Sequence, residues 1–332
     1  MRVAINGFGR IGRTLFRIAF NEGIDIVAIN DVHGPKNSAY LLKYDTVYGR
    51  YNKNITIEKN NIIVDGKKIP ILSERDPSKL PWKKLNVDIV LESTGIFRER
   101  KQLNQHKKAG AKIVILTAPS KGKQNPDITI IKGVNDNKLN SKHKIISIAS
   151  CTTNCLVPIA KILNDKYKIK WGMMTAIHAY TNDQALQDSS HKKQRRGRAA
   201  AQNIIPTSTG ASESVAKVIP SLLGKIKGIA VRVPIVTGSL LDLTVELKKN
   251  FTVNQINNEF KKQSEQQMKD VLGYSTDPLV SSDVIGDTRS AVIDSLSTEK
   301  DGNLVRVLAW YDNEYGYCSR VIDTVKELER LH

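Results

Sequence analysis

The sequence predicts an α/β protein of two domains, the first built on a parallel sheet covered by helices and the second an α+β domain with a mainly antiparallel sheet. Three observations support this prediction. The chain has 332 residues, a length that usually divides into about two domains. Short apolar β-branched runs alternate with helical stretches in its first third. From about Ser150 the strands become longer and amphipathic.

The first domain is predicted from a regular succession of strands and helices. Its first three predicted elements are a strand, a helix and a strand. A passage rich in β-strands follows, and then further parallel strands with a helix between them. The predicted strands are Val3–Asn6, Ile24–Asn30, Asn54–Glu58, Asn61–Asp65, Lys68–Leu72, Val87–Ser93, Lys112–Ala118 and Lys144–Ala149, and the predicted helices are Ile11–Asn21 and Glu99–Ala109.

The second domain is predicted to begin with a helix near Thr152 and to continue with longer strands. Apolar and polar residues alternate over Leu240–Leu247, which is typical of a strand with one covered face. The other strands are Trp171–Tyr180, Gly228–Pro234 and Leu304–Tyr311, and the helices are Ser212–Leu223 and Val253–Met268. We place the domains at residues 1–149 and 150–314, with a C-terminal helix over 315–332 that completes the first.

Composition narrows the function without naming it. The chain has 51 Lys and Arg against 33 Asp and Glu, a formal charge of +18 that favours anionic ligands. No apolar run is long enough to cross a membrane. Three cysteines are too few for a disulfide scaffold, so we expect a reducing cytoplasm, and no metal site is predicted.

A glycine-rich turn joins the first strand to the first helix. Gly7, Gly9 and Gly12 form the pattern G-x-G-x-x-G, which allows a tight turn, close approach to a pyrophosphate and close helix packing. Asp31 ends the next strand, where a carboxylate can accept hydrogen bonds from ribose hydroxyls. The sequence therefore predicts a Rossmann dinucleotide-binding domain.

Asp31 also bears on which dinucleotide binds. Its carboxylate should repel a 2′-phosphate, which favours NAD. Nearby or later polar residues leave NADP use open; these are His33, Lys36, Arg75, Ser189 and Ser190.

A cysteine stands where a strand meets a helix. Cys151 lies at the predicted helix start, where the helix dipole and free N–H groups lower a thiol pKa. Cys155, one turn later, and Cys318 are interpreted as buried structural residues. Among six histidines His178 is the candidate base, because it stands at the end of a strong strand. Spacing alone favours a structural histidine there.

Motifs along the whole chain resemble the phosphorylating glyceraldehyde-3-phosphate dehydrogenases. They follow the family's order from residue 2 to about residue 326. The matching segments are Ile5–Arg13, Leu41–Asp45, Ser150–Cys155, His178–Thr181, Ile204–Gly210, Arg232–Pro234 and Trp310–Tyr317.

This resemblance implies a reaction. Cys151 would attack the aldehyde carbon of glyceraldehyde 3-phosphate and form a hemithioacetal. His178 would pair with the thiolate in the resting enzyme, take the hydroxyl proton and help to hold the oxyanion. Hydride transfer to NAD would leave a thioester, and inorganic phosphate would attack it to release 1,3-bisphosphoglycerate.

The resemblance also assigns binding residues. For the cofactor these are Asn6, Gly7, Gly9, Arg10, Ile11, Gly12, Asp31, Arg75, Thr117, Asn313 and Tyr317. Those for the substrate phosphate and the attacking phosphate are Ser150, Thr152, Thr181, Arg196, Thr209, Gly210 and Arg232. The segment 183–203 matches a loop that crosses a subunit interface in the family, which implies a homotetramer.

Departures and rival functions complete the prediction. Ser189 and Ser190 stand where strictly NAD-dependent members usually have Leu-Pro, so NADP remains an alternative cofactor. Erythrose-4-phosphate dehydrogenase is the nearest enzymatic alternative, although Thr181 and the pair Thr209-Gly210 favour the triose enzyme. The basic run 192–196 raises nucleic-acid binding as a second class, which the low aromatic content of 6% disfavours.

Overall fold

The computed structural model describes residues 1–332, which form two compact units. The first unit contains residues Met1–Ile130, Asn137–Ala149 and Cys318–His332. The second unit contains Ile131–Asp136 and Ser150–Tyr317. No helix combines the length and the apolar character needed to span a bilayer.

The chain forms sixteen strands and seven α-helices. The strands are β1 Arg2–Asn6, β2 Asp25–Asn30, β3 Ile55–Glu58, β4 Asn61–Val64, β5 Lys67–Leu72, β6 Ile89–Glu92, β7 Ile113–Leu116, β8 Ile128–Thr129, β9 Ile145–Ser147, β10 Ile169–Ala179, β11 Ile205–Ser208, β12 Ile226–Val233, β13 Ser239–Leu247, β14 Leu272–Ser275, β15 Ala291–Asp301 and β16 Leu304–Tyr311. The helices are α1 Arg10–Asn21, α2 Gly34–Lys43, α3 Arg100–Lys108, α4 Cys151–Tyr167, α5 Ala211–Val218, α6 Val253–Glu265 and α7 Tyr315–Leu331.

The first unit is built on a nine-stranded sheet in the order β3-β4-β5-β2-β1-β6-β7-β9-β8. All pairs from β5 to β8 are parallel, and the two edge strands β3 and β4 add an antiparallel ribbon. The chain leaves β1 toward β2 on one side and reaches β6 on the other. Such a reversal opens a crevice at the carboxyl ends of the strands, where doubly wound folds bind ligands.

Burial explains why the strands of this sheet have almost continuous apolar sequences. Val3, Ala4 and Ile5 of β1 have no exposed surface, because helices cover the sheet. Helix α7 supplies an apolar stripe to the same unit through Cys318, Val321, Ile322, Val325 and Leu328, which are all buried. This helix is amphipathic as the sequence predicts.

The second unit is built on a seven-stranded sheet in the order β11-β12-β10-β13-β16-β15-β14. Four of its pairings are antiparallel, whereas β10 with β12 and β14 with β15 run parallel. Strand β13 alternates buried and half-buried residues along its whole length, as its sequence predicts. The predicted fold class, a Rossmann-type domain followed by an α+β domain with a mainly antiparallel sheet, is confirmed.

Several predicted boundaries are wrong for local reasons. The helix predicted over Ser212–Leu223 ends at Val218, because Pro220 lacks an N–H and disfavours helical backbone before it. The helix predicted to Met268 ends at Glu265. Helix α2 and strands β11, β14 and β15 are absent from the prediction. Strand β15 is interrupted by a register shift between Asp294 and Glu299, which breaks its alternation.

Candidate active site

A thiol and an imidazole meet in the second unit. Cys151 is the first residue of α4, and the Ser150 hydroxyl caps the helix by accepting a hydrogen bond from the Thr153 N–H at 3.1 Å. His178 is the penultimate residue of β10 and is buried. Its Nε2 lies 3.3 Å from the Cys151 Sγ. The two sequence-predicted residues, 27 positions apart, are therefore in hydrogen-bonding contact.

Two contacts of the other ring nitrogen favour opposite positions of the imidazole proton. The His178 Nδ1 lies 2.6 Å from the Ala179 carbonyl oxygen, which can only accept a hydrogen bond, and 2.7 Å from the Arg232 guanidinium, which can only donate one. The guanidinium also donates to the same carbonyl at 2.9 Å. In the tautomer with the proton on Nδ1, Nε2 carries no proton and can accept one from the thiol.

Burial and charge set the protonation of the pair. Burial raises the pKa of Cys151, and the Arg232 charge opposes that rise. Burial and the same arginine lower the pKa of His178 to about 3. The raised thiol pKa is opposite to the direction that the helix start predicts, because desolvation disfavours the thiolate. The resting ion pair that the resemblance implies stays a prediction.

Positive charge gathers beside this pair. Arg232, at the end of β12, is mostly buried, and its Nε has no hydrogen-bond partner. Arg196 donates to Thr207 Oγ1 at 2.9 Å and to the carboxylate of Asp183, which also accepts from the Thr181 hydroxyl. The predicted residues Thr181 and Arg196 thus share one carboxylate. The unpartnered Nε of Arg232 leaves a donor suited to an anion.

The remaining predicted phosphate residues lie at two helix starts. The Thr152 hydroxyl is 3.0 Å from the Tyr311 hydroxyl, and both side chains are buried. Gly210 is the N-terminal cap of α5, and the Thr209 hydroxyl accepts from the Ala211 N–H at 3.2 Å. Helix starts of this kind present free N–H groups and the positive end of the dipole to anions.

A cavity of about 400 Å³ opens at the glycine turn of the first unit. Gly7 has a φ of +91°, which other residues rarely adopt, and a Cβ at Gly12 would lie 2.0 Å from the Gly7 carbonyl oxygen. Both glycines are therefore required by the backbone. The cavity is lined by Asn6, Gly7, Phe8, Gly9, Asn30, Asp31, Val32, His33, Glu74, Arg75, Ser93, Thr94, Ile96 and Phe97.

Asp31 enters this cavity already held in place. One carboxylate oxygen accepts the Phe8 N–H at 2.8 Å. The other accepts the His33 N–H at 2.9 Å and lies 3.0 Å from the His33 ring. The carboxylate keeps lone pairs for ribose hydroxyls. The glycine turn, the start of α1 and this acid fit a dinucleotide, as the sequence predicts.

Other predicted cofactor residues do not line the cavity. Arg10 pairs with Asp45 at 2.5 Å and lies over the Tyr48 ring. Thr117 is buried and donates to the Glu92 carbonyl at 3.0 Å. Ile11 and Gly12 lie in the first turn of α1. Asn313 and Tyr317 are buried in the second unit, where the Asn313 amide oxygen accepts from the Ser239 hydroxyl at 2.9 Å.

Sequence reasoning missed several residues of both centres. Ser93 and Thr94 follow β6, the parallel neighbour of β1, so the adjacency of strand ends could have indicated them. Tyr311 and Asp183 carry no local signal, because only the folded chain brings them to the cysteine. The others that line the cavity are Phe8, Asn30, Val32, Glu74, Ile96 and Phe97.

The fold and the two centres define a class of protein. A Rossmann-type dinucleotide domain joined to an α+β domain with a cysteine and a histidine in contact is the arrangement of a nicotinamide-dependent oxidoreductase. Comparison with known families and proteins specifies it further. Residues 1–100 match the model for the glyceraldehyde 3-phosphate dehydrogenase NAD binding domain, and residues 150–313 match that for its C-terminal domain.

Similar proteins cover the whole chain. The glyceraldehyde-3-phosphate dehydrogenase of Thermotoga maritima is 53% identical over 99% of this chain and 99% of its own. That of Borreliella burgdorferi is 51% identical over the same shares, and that of Priestia megaterium 51% over 97% and 96%. The chain belongs to the glyceraldehyde 3-phosphate dehydrogenase family. The predicted family and the NAD cofactor are confirmed.

Proposed function

We propose that this chain is a phosphorylating glyceraldehyde-3-phosphate dehydrogenase that oxidises D-glyceraldehyde 3-phosphate with NAD and inorganic phosphate to 1,3-bisphosphoglycerate. The observation that carries the proposal is the 3.3 Å contact between the Cys151 Sγ and the His178 Nε2. A thiol beside an unprotonated imidazole nitrogen can add to an aldehyde and later leave as a thiolate. Full-length similarity to enzymes of that name supports the substrate.

The first step forms the carbon–sulfur bond. The Cys151 thiol passes its proton to the His178 Nε2 as the sulfur attacks the aldehyde carbon, and the carbonyl oxygen becomes the hydroxyl of a hemithioacetal. This step uses the tautomer in which the Nδ1–H donates to the Ala179 carbonyl. The resulting imidazolium explains why a low starting pKa is useful, since the proton is readily passed on to the oxygen.

The oxidation step removes the hydroxyl proton and a hydride together. His178, neutral again, accepts the hydroxyl proton. The nicotinamide of NAD, when bound, would accept the hydride. The carbon then carries a thioester to Cys151. A phosphate oxygen attacks this carbon, the carbon–sulfur bond breaks, and the thiolate leaves and recovers the proton from His178. A thioester retains the oxidation energy for this transfer, which a serine ester would not.

Two groups of residues are proposed to hold the phosphates. Arg232, Thr181 and Arg196 would bind the C3 phosphate, since the Arg232 Nε has a free donor beside the pair. The substrate phosphate would compete with the Asp183 carboxylate for Thr181 and Arg196. The attacking phosphate is proposed to use hydroxyls and N–H groups of Ser150, Thr152, Thr209 and Gly210.

The cofactor contacts are proposed from the cavity and from the family. Asn6, Gly7, Gly9, Asp31 and Arg75 line the cavity and would contact the dinucleotide directly. The remaining predicted residues would contribute by helix geometry or by contacts to the nicotinamide; these are Arg10, Ile11, Gly12, Thr117, Asn313 and Tyr317. We further propose a homotetramer and a cytoplasmic enzyme of glycolysis or gluconeogenesis.

One steady-state experiment tests the reaction. Purified chain is assayed with glyceraldehyde 3-phosphate or erythrose 4-phosphate, with NAD or NADP, and with phosphate present or absent. We expect the triose with NAD to be fastest and to require phosphate for continued turnover. Faster oxidation of erythrose 4-phosphate without phosphate would reject the proposal in favour of the tetrose enzyme. A salt-dependent mobility shift with excess NAD as competitor tests nucleic-acid binding separately.

A further inference from the structure

A row of buried polar side chains crosses the carboxyl end of the first sheet. Asn30, Asn6 and Glu92 are the last residues of β2, β1 and β6, three neighbouring parallel strands in register. Their exposed fractions are 5%, 1% and 0%. Polar groups at such depth are costly unless each finds a partner.

Glu92 is surrounded by hydrogen-bond donors. One carboxylate oxygen accepts the Thr94 N–H at 2.9 Å and the Thr94 hydroxyl. The other accepts the Asn6 amide at 2.5 Å and lies 3.0 Å from the His106 Nε2. Both Asn6 and Thr94 line the cofactor cavity, whereas His106 lies behind them with no exposed surface.

Trp82 decides which nitrogen of His106 carries the proton. The indole N–H can only donate, and it lies 3.0 Å from the His106 Nδ1. Nδ1 is therefore an acceptor, and the ring proton is on Nε2, where it points to Glu92. The pair of His106 and Glu92 is a directed hydrogen bond from a neutral ring to a carboxylate rather than an ion pair.

The series of hydrogen bonds continues from Glu92 to two amides that line the cavity. Because Glu92 accepts only, the Asn6 amide must present its nitrogen to it, and the Asn6 oxygen then accepts the Asn30 amide at 2.7 Å. Asn30 in turn accepts the Glu74 N–H at 2.9 Å. Glu92 thus fixes the orientation of both amides at the cavity, and Trp82 directs the His106 N–H that is one of its donors.

We propose that Trp82, His106 and Glu92 are positioning residues of the cofactor site, which hold Asn6 and Thr94 in the orientation that binds the dinucleotide. The proposal rests on the cofactor site of the proposed function and extends it to three residues without cavity contact. If His106 lost its donor, the Glu92 carboxylate would be free to turn toward its remaining donors, and the Asn6 amide and the Thr94 hydroxyl would move with it, because a buried carboxylate needs its donors. The cavity would then change shape although no residue that lines it has been substituted.

Two substitutions at one position separate positioning from packing. His106→Gln keeps an amide N–H for Glu92 and a carbonyl for Trp82, whereas His106→Phe fills the space and offers neither. Leu103→Ala is the matched stability control, since Leu103 is buried on the same helix and packs on Val114, Leu116 and Ile145. Binding of NAD is measured by titration calorimetry, and thermal unfolding is recorded for every variant.

The expected result is a change in cofactor affinity that stability does not predict. His106→Phe should raise the Kd for NAD by roughly tenfold, and likewise KM for NAD, with kcat at saturating NAD little changed. His106→Gln should remain within about threefold of the unsubstituted chain. Leu103→Ala should lower the midpoint of thermal unfolding by several degrees with its Kd for NAD unchanged.

Two results would overturn the proposal: a folded His106→Phe variant with unaltered NAD affinity, or an equal rise in Kd for Leu103→Ala. If His106→Phe does not fold, Trp82→Phe removes the donor that fixes the ring proton, with a smaller ring left in the buried site, and an unaltered Kd for NAD in that variant would overturn the proposal equally. Failure of the proposed function is separate, because it would appear as an unsubstituted chain that binds NAD without oxidising the triose phosphate.

Discussion

The two histidine centres of this chain use the same side chain in opposite ways. His106 receives a hydrogen bond on one nitrogen and donates from the other to a carboxylate, so every group in its cluster has a complementary partner. His178 lies beside Arg232, a cation that disfavours its protonation, and burial lowers its pKa to about 3. Arg232 itself keeps an unpartnered Nε.

This contrast between the two histidine centres indicates which of them can react. A cluster with all donors and acceptors matched is rigid and has no group left for a substrate. A cluster whose pKa values are pulled away from their ordinary ranges, with a donor left over, is prepared for a change of charge. Burial raises the pKa of Tyr311 in the second cluster as well, and it raises that of Cys151. The following experiments test this contrast.

The largest expected effect comes from the nucleophile. Cys151→Ser should reduce kcat for the phosphate-dependent oxidation by at least ~10⁴-fold, because an alkoxide is harder to form and an ester transfers less readily. Affinity for NAD should stay the same. Steady-state kinetics and NAD titration measure both quantities.

Cys155→Ala is the matched control for this substitution. Cys155 has no exposed surface and lies one turn further along α4, so its loss should leave kcat close to that of the unsubstituted chain. Turnover by Cys151→Ser at more than a few per cent would contradict the assignment of the nucleophile.

The base is expected to contribute somewhat less. His178→Asn should lower kcat by roughly 10³-fold, within the range of general-base catalysis, and leave the KM for NAD unchanged. Thiol alkylation by iodoacetamide should also slow at neutral pH, since Nε2 no longer accepts the thiol proton at 3.3 Å. Unchanged alkylation together with unchanged kcat would remove His178 from the mechanism.

Acid should destabilise the second unit through the same histidine. The unfolded chain binds a proton to His178 near pH 6.5, whereas the folded chain does so only at about pH 3. Between these values the unfolded state binds more protons, so stability is lost as the pH falls. The free energy of unfolding is measured with denaturant at pH 7 and at pH 4.5. Its decrease between the two should be about 2 kcal/mol smaller in His178→Asn than in the unsubstituted chain. Equal losses in both proteins would indicate that other groups account for it.

The smallest effect is expected at the cofactor acid. Asp31→Asn should raise the Kd for NAD by about tenfold. It should also reduce the preference for NAD over NADP, because the repulsion of a 2′-phosphate is lost. The new amide N–H must also face the Phe8 or His33 N–H. Kinetics with both cofactors measure the ratio, and an unchanged ratio would mean that Asp31 does not select against NADP.

Much of the fold could be predicted from local pattern. The glycine turn, β1, α1 and β2 follow from spacing, because the backbone requires Gly7 and Gly12 and the centres of both strands are apolar. Strand β15 could not be predicted, since its register shift removes the alternation on which the reading depends. Helix α2 is absent from the prediction; it begins with Gly34 and Pro35, residue types typical of turns, although proline is well tolerated in a first helical turn.

The candidate site was predictable in its residues and less so in its electrostatics. The helix start identified Cys151, but only the fold reveals that burial raises the thiol pKa. Arg232 alone would be an unremarkable strand residue, and its effect on His178 depends on the parallel pairing of β10 with β12. Similarly, no local signal relates Trp82 to Asn6.

The position of α7 has a consequence for synthesis of the chain. Its residues Cys318–His332 belong to the first unit, whose other segments end at Ala149. At ordinary translation rates the ribosome needs roughly 10 to 30 s to make the intervening residues. We therefore expect the nascent first unit to expose the apolar surface that α7 covers until synthesis is complete. Protease should cleave the first unit more readily in ribosome-arrested chains than in released ones. Equal protease resistance of the two would contradict this expectation.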